Sequence, residues 1–83
     1  MKVKYFAWVR ERVGKDEETI EPPASVRTVE DLIAWLTGRG ETYAHAFERP
    51  RVIHAAIDHA HVKPEAAIAG AREIAFFPPM TGG

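Results

Sequence analysis

Apolar residues recur along the chain with two different periods, and the points where the period changes mark out its elements. Val3, Tyr5 and Ala7 alternate with Lys4 and Phe6, the two-residue repeat of a half-buried strand. Residues 8–13 fit either the end of that strand or a short helical turn, closed by Gly14. A second short strand is expected at residues 18–21, ended by Pro22 and Pro23 because neither can donate to a ladder. The period then lengthens. Val29, Leu32, Ile33 and Leu36 stand at i, i+3, i+4 and i+7, which is one apolar stripe of a helix. Thr28 and Asp31 have capping-box spacing at its start, and Gly38 and Gly40 supply the stop.

Tyr43, Ala46 and Phe47 share a face of a shorter helical turn before Pro50. Alternation returns at residues 51–58, with Ile53, Ala55 and Ile57 on one side. Residues 59–69 are turn-rich, with a short edge strand around Val62. Residues 73–77 read as a last strand, broken by Pro78 and Pro79. One long helix among strands predicts an α+β domain, a mixed sheet with one main helix packed on one face. That order suits the ubiquitin-like β-grasp, since a split βαβ sheet would want a second long helix. The expected division is a β-grasp domain over residues 1–79 and a flexible tail over residues 80–83.

Length and charge narrow the function. At 83 residues there is room for one domain, which buries only about 60% of its unfolded surface. Eleven Lys and Arg against twelve Asp and Glu leave a formal charge of −1, which argues against a nucleic-acid partner. The absence of cysteine excludes a disulfide scaffold, a thiol nucleophile and a Cys-liganded zinc site. The early apolar stretch at residues 5–9 stops at Arg10, too short for a signal core or a membrane span. No membrane association is expected, and the expected compartment is the cytoplasm.

Candidate catalytic groups are few. Asp16, Glu17 and Glu18 read as a solvated loop. His59 and His61 can set two imidazoles on one side of an extended segment, but no third ligand has suitable spacing, so no metal site is expected. His45 and His54 read as structural or exposed. Lys4, Arg10 and Arg12 read as a small basic surface patch, and no glycine group fits a phosphate-binding fingerprint. The end of the chain differs. Pro78 and Pro79 favour an extended exit, and Gly82 and Gly83 let bare backbone pass a narrow opening. From Pro79 to Gly83 the extended reach is about 16 Å. By residue type alone, a frayed end is the simpler reading.

Three segments together carry a resemblance. They are the opening Phe6-Ala7-Trp8-Val9-Arg10-Glu11-Arg12-Val13-Gly14, the helix start Thr28-Val29-Glu30-Asp31-Leu32, and the close Ala75-Phe76-Phe77-Pro78-Pro79-Met80-Thr81-Gly82-Gly83. The chain resembles the small subunits of molybdopterin synthase, the molybdopterin-converting factor small subunits, which are ubiquitin-like sulfur carriers. Residues 41–71 carry little of that pattern, and Ala56-Ile57-Asp58 stands where the family often has an apolar residue followed by Asn.

The resemblance implies a sulfur carrier in molybdenum cofactor biosynthesis. In that family a separate adenylyltransferase uses ATP and magnesium to convert the terminal carboxylate into an acyl-adenylate. A sulfur-donor protein then displaces AMP, leaving a thiocarboxylate. The large synthase subunit admits the tail, and sulfur passes to cyclic pyranopterin monophosphate within a heterotetramer. By resemblance Gly83 carries the sulfur and Gly82 allows passage. The chain itself binds no cofactor and is a non-catalytic donor subunit.

Strand parity suggests the docking surface. With Val3, Tyr5, Ile74 and Phe76 facing the helix, Phe6 and Phe77 point to the open face, side by side in a β-grasp. Arg10 is expected at the rim, facing an acidic partner. Pro78, Pro79, Met80 and Thr81 are expected to accompany the tail into the large subunit. Other uses of the same features stay open at this point. They are a carrier for thiamin or tRNA thiolation, a protein modifier joined through Gly83, and a ubiquitin-like binding module.

Overall fold

The computed structural model describes residues 1–79. The tail expected at residues 80–83 lies outside the described residues. Five strands, β1 (Lys2–Tyr5), β2 (Glu17–Thr19), β3 (His54–Ile57), β4 (Ala60–Val62) and β5 (Glu73–Phe77), form one sheet in the order β2-β1-β5-β3-β4. β1 and β5 pair in parallel at the centre, with Val3 opposite Ile74 and Tyr5 opposite Phe76. The other pairings are antiparallel. Three helices join them: α1 (Ala7–Val13), α2 (Val29–Thr37) and α3 (Glu41–Ala46). This is the expected α+β β-grasp.

The main helix, α2, forms where its stripe predicts. Val29, Leu32, Ile33 and Leu36 are all buried. Its capping box is complete, since the Thr28 hydroxyl accepts the Asp31 N–H at 3.2 Å while the Asp31 carboxylate accepts the Thr28 N–H at 3.2 Å. The N–H of Arg27, at 3.1 Å, is the largest of several hydrogen bonds that hold the Asp31 carboxyl below its ordinary range. α2 packs on the sheet face that carries Val3, Tyr5, Ala55, Ile74 and Phe76, and each of these is nearly or wholly buried. Tyr5, Phe47 and Phe76 form an aromatic centre there, with centroids 5.3–6.4 Å apart.

Several boundaries depart from the linear reading, each for a local reason. Residues 8–13 resolve as helix: Ala7 takes a left-handed φ of 52° and turns the chain off β1. α1 then buries Val9 and Val13 and ends at Gly14, whose φ of 87° suits a left-handed cap. The strand expected from residue 51 begins at His54, because Pro50, pre-set for a helical first turn, opens the 3-10 turn Pro50–Val52. β3 and β4 join through Asp58 and His59, with φ values of 47° and 74°, the two left-handed positions of a tight hairpin. The Asp58 carboxylate accepts the N–H groups of Arg72 and Glu73 at 3.1 and 3.0 Å, tying that hairpin to the start of β5. No helix among the described residues is long and apolar enough to cross a membrane.

Candidate functional site

The site is built by the end of β5 and the sheet face that α2 leaves uncovered. Along β5 burial alternates: Ile74 and Phe76 are fully buried, whereas Glu73, Ala75 and Phe77 are half-buried on the other side. The Phe6 N–H donates to the Phe76 carbonyl at 3.0 Å, the last link between β1 and β5. Ala7 then swings β1 into α1, and Phe6 is left 43% exposed, the one large apolar side chain so placed among the described residues. β5 continues past that point into Pro78, half-buried, and Pro79, exposed. The exit segment thus leaves from the middle of the sheet, beside an exposed aromatic ring.

The open face has two chemically different ends. Toward β2 it is charged and self-neutralised, with Lys2 3.2 Å from Glu17 and Lys4 3.4 Å from Glu73. Toward the exit it is aromatic. The ring of Phe77 lies 5.9 Å from His54 and 5.0 Å from His61, and the two imidazoles are 6.1 Å apart. Ala56 and Ala75, paired across β3 and β5, keep the surface between these ends low.

Phe6 and Phe77 occupy the outward positions that parity assigns, yet the ring partners of Phe77 are the two imidazoles. Arg10 is half exposed, with Nε 3.9 Å from the Asp16 carboxylate, a loose surface pair that contributes little. Met80, Thr81, Gly82 and Gly83 lie outside the described residues. Lys4, Arg10 and Arg12 do not form the expected basic patch: Lys4 turns to Glu73 and Arg10 to Asp16, while Arg12 reaches Glu48 at 3.4 Å and stacks 4.5 Å over Trp8. His61 finds its imidazole partner across the strands in His54, not along the chain in His59. The available signal was that His54 shares parity with Ala56, away from Ile53 and Ala55. The register that brings His61 beside it depends on the two-residue turn.

Glu18 departs furthest from expectation. Its side chain is only 12% exposed, because register places it opposite Val3 on the covered face. One carboxylate oxygen accepts the hydroxyls of Tyr43 at 2.6 Å and Tyr5 at 2.8 Å; the other accepts Arg39 at 3.2 Å and Lys15 at 3.3 Å. Burial alone would raise its carboxyl, but these donors prevail and hold it below its ordinary range. Burial first, then the bond to Glu18, pushes the Tyr5 phenol far above its own. This is a structural latch that holds a three-residue edge strand to α3 and the end of α2.

Chemistry is otherwise sparse. No group of three metal-ligating side chains occurs among the described residues. A cleft of about 850 Å³ lies between α2 and the β3–β4 side, floored by residues such as Ile33 and Ile53, and no β5 residue lines it.

Comparison with known proteins places this geometry. A model of the ThiS family matches residues 3–83. The chain is similar to the molybdopterin synthase sulfur carrier subunit of Escherichia coli (strain K12), 37% identical over 83 residues that cover 100% of this chain and 99% of that protein. It is 35% identical, with the same coverage, to the molybdopterin synthase sulfur carrier subunit of Haemophilus influenzae. Among solved structures it is similar to a molybdopterin converting factor subunit 1 from Pyrococcus furiosus, at 30% identity and a TM-score of 0.73 over 94% of each chain. It is also similar to SAMP1 from Haloferax volcanii, at 27% identity and a TM-score of 0.72 over 100% of this chain and 98% of that one.

Proposed function

This chain belongs to the ThiS family, as a sulfur carrier of the molybdopterin synthase kind with a large-subunit partner, and we propose that Gly83 carries the sulfur. The observation that supports this most is that the match to the family spans residues 3–83 and so takes in Gly82 and Gly83, while the last strand, β5, ends at Phe77 on the open face of the sheet. A carboxylate is a poor electrophile. Its oxygen therefore attacks the α-phosphorus of ATP in a separate, magnesium-dependent activating enzyme, forming an acyl-adenylate and releasing pyrophosphate. The outer sulfur of a donor protein's persulfide adds to the acyl carbon and AMP leaves with the bonding pair; a second thiol then reduces the remaining sulfur–sulfur bond, forming a disulfide with the donor and leaving a thiocarboxylate. Within the large subunit that sulfur passes to cyclic pyranopterin monophosphate, water cleaves the acyl–sulfur bond and restores the Gly83 carboxylate, and two such transfers, from two carriers, complete a dithiolene.

This chain supplies presentation. Its fold holds the exit segment at a defined point, and Gly82 keeps the last stretch free of side chains where a channel admits main chain only. Pro78 and Pro79 direct the segment away from the sheet. Phe6, Phe77 and Arg10 meet the large subunit, and Met80 and Thr81 enter with the tail. The chain contributes no acid or base to the transfer.

Intact mass of the protein isolated from cells tests the reading directly. A sulfur-for-oxygen exchange at the carboxyl end is expected; its absence even with the activating enzyme present would sink the proposal, and conjugates to other proteins would point to a modifier instead. Gly82→Val and deletion of Gly83 should leave the thermal melt unchanged while sharply reducing and abolishing molybdopterin formation, respectively, because rate depends steeply on where the reacting group is held. Wild-type synthesis by the truncated chain would make a binding module the better account.

A further inference from the structure

The aromatic end of the open face holds two titratable groups that none of the steps above uses. His54 and His61 are exposed, on β3 and β4, with their rings 6.1 Å apart and within 24° of parallel. Each also packs on Phe77, the last residue of β5 before the exit segment. A subunit that receives that segment lies beside this cluster. Resting on the carrier reading above, we propose that His54 and His61 are docking residues for the large subunit, buried there as neutral imidazoles, so that complex formation expels protons and loosens as pH falls.

The charges around the pair are already engaged with other partners. From β5, Glu73 faces this side but is taken up by Lys4 of β1 at 3.4 Å. At the end of β3, the Asp58 carboxylate is taken up by the N–H groups of Arg72 and Glu73. Beyond β4 the nearest ionisable residue is Lys63, and the hairpin adds His59, so neither neighbour brings negative charge. From β1, Lys2 is held by Glu17. Among the described residues, no ion pair reaches either imidazole.

Covering two imidazolium ions without an anion would be costly, and at this separation they would also repel each other. Neutral rings laid against Phe77 present an apolar surface that a partner can cover. The large-subunit surface fitting this end is therefore apolar, without carboxylates. Histidine is the side chain whose charge ordinarily changes between pH 5 and 8, so the coupling falls in an accessible range.

The test is the affinity of this chain for its large subunit at pH 7.5 and pH 5.5, for wild type and for a His54→Gln, His61→Gln double variant. If only the neutral form docks, the wild type should bind at least tenfold more weakly at pH 5.5 than at pH 7.5, because histidine is the side chain that ordinarily gains charge across that interval. The double variant should bind within about twofold of itself at the two pH values. Both side chains are exposed, so the fold should be retained, which circular dichroism checks. A wild type that binds equally at both pH values, or a double variant that keeps the full pH dependence, overturns the proposal and leaves the carrier reading standing. Absence of binding at either pH overturns both.

Discussion

The two faces of the one sheet come from the same strands and differ in nearly everything else. On the covered face, alternate residues of β1, β3 and β5 lock into a single apolar core with α2, and the one carboxylate there, on Glu18, has four donors around it. On the open face the intervening residues touch mostly one another, through two surface ion pairs and a cluster of three rings. Period-two alternation thus separates two demands. One half of each strand is committed to stability, and the other half is free to be chosen for a partner. Phe76 and Phe77, adjacent in sequence, show the division within a single dipeptide.

That contrast breaks most visibly at Phe76. Phe76→Ala removes a fully buried ring from the aromatic centre and should cost about 3–5 kcal/mol in denaturant unfolding. A loss below about 1 kcal/mol would mean that the core lies elsewhere. The neighbouring change should give the opposite pattern. Phe77→Asp, like Phe6→Asp, should leave far-ultraviolet circular dichroism and the melting temperature near wild type while weakening the large-subunit complex tenfold or more, equivalent to about 1.4 kcal/mol. Unfolding of either variant would show the faces to be assigned the wrong way round.

Glu18 sharpens the contrast through pH. Its folded carboxyl lies below the ordinary value of 4.5, so the unfolded state takes up its proton first as pH falls. The stability it contributes is complete above that value and drains away as pH drops through the lower, folded one. Glu18→Gln should therefore be destabilising at pH 7, and the gap to wild type should close toward pH 3 in parallel denaturant titrations. A gap that stays constant would mean that the latch does not depend on charge. The smallest effect is expected at Ala7. A non-glycine residue at φ 52° is strained by about 1 kcal/mol, so Ala7→Gly should leave the melting temperature unchanged or slightly raised, the relief being partly offset by a more flexible unfolded chain. Ala7→Val should lower it.

Much of this division was legible from the chain alone, because it rests on parity and local caps. The stripe from Val29 to Leu36, the Thr28–Asp31 box and the inward set Val3, Tyr5, Ile74 and Phe76 are short-range patterns, and the structure bears each of them out. What escaped depends on register across turns. Glu18 reads as part of an acidic loop until its pairing with Val3 turns it inward. His54 and His61 read as unrelated until the Asp58–His59 turn fixes β4 against β3. α1 was ambiguous because Ala7, which ends the strand, must adopt a conformation that its side chain gives no reason to expect.

The position of β5 has a mechanical consequence. Its end is not an edge: β1 lies on one side in parallel and β3 on the other in antiparallel, each bonded along nearly the whole strand. A partner that grips the residues beyond Phe77 and pulls along the strand axis loads both ladders sideways, with every inter-strand bond resisting at once. An edge strand such as β2 or β4 can be peeled away one bond at a time under a much smaller force. The fold is thus anchored like a rope spliced into the centre of a net, and tension on the tail is spread over the whole sheet before it can draw out a single residue.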